Sequence, residues 1–283
     1  MQYNHVNEFG WSLDNFGSTW TDAGFGALIS GSASANGKGQ VKQMITGSSV
    51  SNNVYGISIG FSGGNTAGAV RMFLVDLMVD RAGGTNWEKA IGDLVVNCPS
   101  LLLGGYWYYF PLFFPSGTSF GLREQCSTAN ITMRGGIGLF GLPSHPELVK
   151  VGSFVRTFGM LTGSSNGIPV TPGSSAIGSY NTGQGQTADD LWFWQVGLAI
   201  NDTSQTAVSY SVDVAGIDAS NKELIMEKVK VFANNTNEQT GKEAFGNMPP
   251  YRMLESGSLL YTRVACSGTP DSSISTVVYG VGG

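Results

Sequence analysis

Charge is scarce in this chain of 283 residues: Asp, Glu, Lys and Arg together make up 12% of it, about half the share usual in globular proteins. A surface so poor in ions must be covered by Ser, Thr, Asn, Gln and Gly. Histidine is nearly absent. His5 and His145 stand far apart, and without a Cys-x2-Cys pair or a His-Glu-x2-His run they leave no zinc-ligand spacing. Three cysteines cannot complete a disulfide framework. The net charge of −5, with no run of Lys and Arg, argues against a nucleic-acid partner. Long apolar stretches are missing too: Leu101 to Phe114 is shorter than the roughly 20 residues of a membrane helix, and Gly104, Gly105 and Pro111 interrupt it. Met1 to Phe9 shows no basic stretch followed by an apolar run, so no signal peptide is expected.

What is present is written twice. Ser116-Gly117, Arg123 and Cys126-Ser127 recur with identical spacing as Ser256-Gly257, Arg263 and Cys266-Ser267, about half a chain later. Arg and Cys are rare here, so their joint recurrence in register points to two tandem copies of one unit. Phe16-Gly17 with Gly31-Ser32, and Phe158-Gly159 with Gly173-Ser174, repeat a second spacing.

Strand signals agree between the copies. Tyr55, Ile57, Ile59 and Phe61 alternate with small or polar residues, the period of a half-buried strand. Trp194, Val196, Leu198 and Ile200 do the same in the second copy. Val208 to Val214 alternates again, whereas its counterpart Val70 to Val79 is apolar on both faces and is expected to be covered on both. Ile91 to Val96 pairs with Ile225 to Val231, and Asn130 to Met133 with Ile274 to Tyr279. Short strands at close intervals predict an all-β chain of two duplicated antiparallel β-sandwiches, jelly-roll-like, over residues 1–142 and 147–283. Leu142 to Pro146 reads as the linker.

The chemical motifs are thin. Gly163-Ser164-Ser165-Asn166-Gly167 matches G-x-S-x-G, but Pro169 and Pro172 deny it the following helix. Gly136 to Gly141 matches the dinucleotide pattern, and Pro143 and Pro146 forbid its helix. Asp76 with Asp80, or Asp213 with Asp218, could serve calcium or stand as solvated carboxylates. Neither a metal nor a cofactor is expected, and the chain reads as not an enzyme. Arg123 and Arg263 are expected to pin a loop or pair with a carboxylate in each unit, and Cys126 and Cys266 to be buried thiols.

Aromatic residues are the remaining candidates. Tyr106, Trp107, Tyr108, Tyr109, Phe110, Phe113 and Phe114 crowd one stretch whose counterpart in the second copy is polar. They pack under the interdomain junction, form an intermolecular interface, or make a sugar-binding platform. Phe193 points away from the face of Trp194 and could join a contact surface.

Gly31-Ser32-Ala33-Ser34-Ala35-Asn36-Gly37-Lys38-Gly39 resembles a Gly-Ser/Thr…Ala-Asn-x-Lys-Gly turn of tailed-bacteriophage structural proteins; the second copy, Gly173 to Asn181, lacks the Ala-Asn and the Lys. The low-charge, Gly/Ser/Asn-rich composition is similar to theirs. The resemblance implies a virion component present in many copies, a homo-oligomer or a neighbour of other virion proteins, either accessory to the capsid (decoration or cement) or tail-associated. The alternative is a carbohydrate-binding receptor-recognition module, with loops such as Asn234 to Gly246 reading a host glycan.

Overall fold

In both copies the repeated Ser-Gly pair is a turn. Gly117 has φ +83° and Gly257 φ +89°, left-handed backbone where a β-carbon would be strained, and each turn leads into the strand that carries the repeated Arg and Cys. The computed structural model describes residues 8–11, 26–62, 71–98, 106–141, 150–174, 176–181, 183–200, 209–218, 221–233, 239–242, 252–268 and 274–283. The expected linker, Leu142 to Pro146, lies outside the described residues.

The first copy comprises β1 (Glu8–Trp11), β2 (Ala27–Ser30), β3 (Lys42–Ile45), β4 (Gly56–Ser62), β5 (Arg71–Asp80), β6 (Glu88–Cys98), β7 (Tyr106–Phe110), β8 (Ser119–Cys126) and β9 (Thr132–Phe140). One sheet runs β1-β9-β4-β7, with β2 also on β9; the other runs β3-β8-β5-β6. The chain crosses repeatedly between a five-stranded and a four-stranded layer, at β2 to β3, β3 to β4, β4 to β5, β6 to β7, β7 to β8 and β8 to β9, in the manner of a jelly roll.

The second copy repeats the order with β10 (Phe154–Phe158), β11 (Met160–Leu161), β12 (Asn166–Val170), β13 (Gly173–Ser174), β14 (Gly185–Gln186), β15 (Leu191–Ile200), β16 (Ser209–Asp218), β17 (Asn221–Ala233), β18 (Gln239–Lys242), β19 (Leu259–Cys266) and β20 (Ile274–Gly282). Here β10 and β12 share the β20 edge, β15 takes its other edge, and β13 or β14, β19, β16, β17 and β18 form the second layer. The copies differ at the position of β7. Among the described residues no strand of the second copy pairs with the edge of β15 away from β20, and β18 extends the other sheet instead.

The two copies share one local device. On β5 the Asp76 carboxylate accepts from the Asp93 N–H at 3.0 Å and from Arg123 Nε and Nη2 at 3.1 and 2.7 Å. On β16 Asp213 accepts from the Lys228 N–H at 2.8 Å and from Arg263 Nε at 2.9 Å. Asp93 and Lys228 sit at matching bulges, with φ +59° and +54°. Left-handed backbone costs a non-glycine residue roughly 1–2 kcal/mol; a charge-assisted hydrogen bond, worth about 1.5–3 kcal/mol, offsets that. Burial alone would push the Asp76 carboxyl up, but the Lys38 ammonium and the hydrogen bonds from Lys38, Arg123 and Asp93 hold it below the usual carboxylate value.

β5 is buried on both faces. Phe73, Val75, Leu77 and Val79 point into the first sandwich, and the other side packs against β12 of the second. The buried apolar side chains of both sandwiches form one continuous cluster. The core therefore runs through the junction, which is where the candidate site lies.

Candidate functional site

A sheet edge cannot be buried against apolar surface unless its backbone groups find partners. β6 is such an edge, since β5 is its only strand neighbour among the described residues. Two tyrosines satisfy it. The Tyr279 hydroxyl, from β20 of the second sandwich, accepts from the Val95 N–H at 2.7 Å and donates to the Asp93 carbonyl at 2.9 Å. The Tyr108 hydroxyl, from β7, donates to the Val95 carbonyl at 2.6 Å. Asn97 continues the pattern by mimicking a strand: its Nδ2 donates to the Ile200 carbonyl at 2.5 Å and its Oδ1 accepts from the Ile200 N–H at 2.7 Å. Thr157 Oγ1 donates to the Gly92 carbonyl at 2.7 Å.

Around these bonds lie aromatic rings. Tyr279 meets Tyr108 edge-on at 5.3 Å and Phe110 at 6.1 Å, and Tyr109 meets Phe193 at 6.1 Å. The close approach depends on Gly197 of β15, where a β-carbon would stand 2.3 Å from both the Tyr108 hydroxyl oxygen and Val95 Cγ1. The junction is heterologous, the β6–β7 edge of one copy on the outward face of the β10-β20-β15 sheet of the other.

A second, polar contact joins the copies. Gln125 Nε2 donates to Ser165 Oγ at 3.0 Å and to the Thr162 carbonyl, and Ser165 Oγ donates to Asn36 Oδ1 at 2.8 Å. Ser165 is buried in left-handed backbone. The serine of the G-x-S-x-G match is thus a clamp on the Asn36 turn. The Gly-rich Gly136 to Gly141 match lies mostly on β9. Three of the candidate calcium carboxylates are otherwise engaged: Asp76 and Asp213 as described, and Asp80 by the N–H groups of Ala82 and Asn86; the Asp218 side chain is outside the described set.

The aromatic stretch is divided between roles. Phe110, like Tyr108, lies on the inward register of β7, opposite Ile57 and Ile59, while Trp107 and Tyr109 lie outward and half-buried. Phe114 packs on Phe120 at 5.2 Å in the first sandwich's own core, and Phe113 is exposed beside Tyr55. Tyr106 holds a strand position, and its side chain is outside the described set. Phe193 is buried against Tyr109. Cys126 and Cys266 are both buried. Sequence reasoning missed Tyr279, Asn97, Gly197 and Ser165; only Tyr279, a phenol inside an apolar strand, carried a signal.

With this geometry in view, comparison with known proteins gives three results. No family model matches the chain, and no curated protein matches it. Solved structures do. PNGF-II is similar at TM-score 0.35 and 10% identity over 90% of this chain and 65% of that one, so the chain spans just under two thirds of that protein. The STIV MCP is similar at 0.30 and 10% over 90% and 96%. The tandem CBM22 domain of Paenibacillus barcinonensis Xyn10C is similar at 0.24 and 12% over 93% and 91%. Viral capsid jelly-roll proteins and a carbohydrate-binding module thus stand among the neighbours. One expectation needs correcting. The chain reads from sequence as not an enzyme, yet its neighbours include N-glycanase F (PNGase F), at TM-score 0.30 and 7% identity, and a peptide-N(4)-(N-acetyl-β-D-glucosaminyl) asparagine amidase, at 0.29 and 9%. Fold alone does not decide the question, which is left to the site.

Proposed function

We propose that the chain is a structural subunit of a virus particle, present in many copies, that binds its neighbours through the faces and loops of its two sandwiches. Decoration or cement protein of the capsid and tail-associated component are the two forms of this reading. The supporting observation is the junction: an edge that would otherwise invite strand pairing is closed by Tyr279, Tyr108 and Asn97, so two jelly rolls share one apolar core. Such a block presents large sheet faces at fixed angles, as repeated packing in a shell requires. Electron microscopy of particles assembled with this chain tests it. The expected result is double-sandwich density at many symmetry-related positions; its absence from purified particles would refute the reading.

A carbohydrate-binding role is the second reading, and one feature favours it. A cleft of about 410 Å³ is lined by Lys150, Phe154, Asp189, Asp190, Trp192 and Met253, within the usual range for small-ligand sites. Apolar rings beside carboxylates suit a sugar's mixed faces. Of the loop expected to read a glycan, Asn234 to Gly246, only Gln239–Lys242 lies within the described residues. Loss of glycan-array signal on replacing Asp190 by Ala would support the cleft, and an array without hits would remove this reading.

A further inference from the structure

At one position of β8 the two copies agree in backbone and disagree in polarity. In both, a glycine N–H donates to the carbonyl there: Gly39 to Glu124 at 2.8 Å, and Gly178 to Val264 at 2.9 Å. Both side chains are fully buried, yet one is a carboxyl and the other a valine. Neither Glu124 carboxyl oxygen has a hydrogen-bond partner among the described residues. Oε1 lies against Gly31, whose β-carbon, if it had one, would stand 2.7 Å away. Since the second sandwich folds around Val264, the core does not require an acid, and an unmet one calls for another account.

The segment packed on this carboxyl, residues 31–39, is the turn that clamps the second sandwich. Along β8 it is held by the Asn36 N–H on the Cys126 carbonyl at 2.7 Å and by the Gly39 N–H on Glu124. Further out, Asn36 Oδ1 accepts from Ser165 at 2.8 Å, and Lys38 Nζ donates to Asp76 and Asp93 at 2.9 and 2.7 Å. The matching stretch of the second copy lacks the Ala-Asn and the Lys, so acid and clamp occur together in one copy and are missing together from the other. No cation faces the carboxyl among the described residues. β5 presents Val75 in register, β6 presents Leu94 beside it, and β8 itself presents Leu122 and the Cys126 thiol. Ile29 of β2, Phe61 of β4 and Gly135 of β9 close over Leu122. The charged groups of these elements point elsewhere: Arg123, Asp76, Lys38 and Asp93 engage one another across the sheet, Arg134 holds the Gly26 carbonyl, and Lys42 of β3 is exposed.

We propose that Glu124 is a proton-operated latch: as the neutral acid it lets residues 31–39 close over it and grip Ser165, and as the carboxylate it drives them open. In the closed form burial pushes its pKa up to about 9, from an ordinary value of 4.5 that applies once the turn has opened to water. The open form therefore binds fewer protons across that interval. Closure is at full strength below about pH 4.5 and weakens roughly tenfold for each unit of pH above it, until about pH 9. The Asp76 carboxyl is held below its ordinary value and titrates beneath this window. Opening frees Asn36 from Ser165 and leaves the Tyr279, Tyr108 and Asn97 contacts to hold the two sandwiches. The inference does not depend on the particle reading above.

Amide hydrogen exchange on the full chain tests it, with rates corrected for the intrinsic effect of pH. Protection of the Asn36 and Gly39 amides should fall roughly 100-fold between pH 5.5 and pH 7.5. Opening of one turn exposes little surface, so this exchange should not respond to about 0.5 M urea, whereas exchange at Val95, held by Tyr279, should speed up with urea. Glu124→Gln keeps the shape and cannot ionise, so its protection at Asn36 and Gly39 should be flat with pH. Glu124→Val, which copies Val264, should be flat as well and serves if the Gln variant does not fold. Three results would overturn the proposal. One is wild-type protection that does not change with pH. Another is exchange at Asn36 and Gly39 as urea-sensitive as at Val95, because the turn would then open only when the whole chain unfolds. The third is a pH dependence that survives in either variant, which would assign the effect to another group.

Discussion

Replacing Glu124 by Val should stabilise the protein, and more so at higher pH. Glu124 lies on β8 with its side chain turned into the first sandwich, in register with Val75 and between Leu122 and Cys126. It is fully buried, neither carboxyl oxygen has a hydrogen-bond partner among the described residues, and burial pushes its pKa up to about 9. The duplicate carries Val264 at this position, equally buried, so the fold itself accepts an apolar side chain there. An acid whose folded pKa is raised keeps its proton in the folded state while the unfolded chain loses it. Stability therefore falls as pH rises from about 4.5 to about 9, by roughly 1.4 kcal/mol per unit. Between pH 5 and 7.5 the loss amounts to about 3 kcal/mol. Glu124→Val removes this loss and also two unmet acceptors, each worth about 1–3 kcal/mol. Urea unfolding of both proteins at pH 5 and pH 7.5 reads the effect as a double difference, from which cavity and strain terms cancel. The variant's advantage should grow by about 3 kcal/mol between the two pH values, and Glu124→Gln, which cannot ionise, should share that growth. Parallel pH profiles for wild type and both variants would refute the reasoning, because Glu124 would then be solvated or paired.

Gly197→Ala should open the junction: its β-carbon would meet the Tyr108 hydroxyl and Val95 Cγ1, both side chains held in the buried junction, and overpacking of this kind costs about 1–3 kcal/mol. Limited proteolysis should then cut between the copies faster than in wild type, and unchanged cleavage would show that the approach at Gly197 is not tight. Tyr279→Phe removes the hydroxyl that serves Val95 and Asp93 and leaves the ring; a loss of about 1–3 kcal/mol and faster amide exchange at Val95 are expected, with exchange elsewhere on β6 as the control. Asp76→Asn should flatten acid unfolding. The Asp76 carboxyl is held below its ordinary value, so its contribution is present above the unfolded pKa and lost as pH falls through the folded one, and a variant that still lost stability equally below pH 4 would show that other carboxylates govern that limb.

What the sequence made legible follows from period and repetition. Tyr55 to Phe61 and Trp194 to Ile200 fall inside or next to β4 and β15, because strand alternation is local and each copy confirmed the other. The repeated Ser-Gly became the turns at Gly117 and Gly257 because left-handed backbone selects glycine wherever it occurs. The junction was not legible in the same way. Asn97 pairs with a backbone more than a hundred residues away, and Tyr279 does so across a still longer span, so neither leaves a spacing to read. Ser165 was dismissed as a chance motif for a sound reason, the prolines that deny it a helix, yet its role comes from a left-handed turn and from Asn36, which no motif encodes. The Asp76 and Asp213 device lay between these extremes. Aligning the copies on Arg123 and Arg263 would have found the carboxylates, but the bulge residues Asp93 and Lys228 share no chemistry, since only their N–H groups take part.

The duplicates diverge where their surroundings diverge, and that separates constraint from opportunity. Asp76 and Asp213, Arg123 and Arg263, Cys126 and Cys266 are kept because each sandwich needs the same bulge and the same core. Val95 and Asn97 stand where the second copy has Lys230 and Phe232, and Phe232 is 41% exposed while Asn97 is 1% exposed. A cation at position 95 would be stranded under Tyr279, without water and beside the Asp93 carbonyl that the phenol already occupies. Conversely, an apolar pair at 230 and 232 would enlarge an open hydrophobic patch of the sort that drives unwanted association. Lys230 relieves half of that hazard and Phe232 does not.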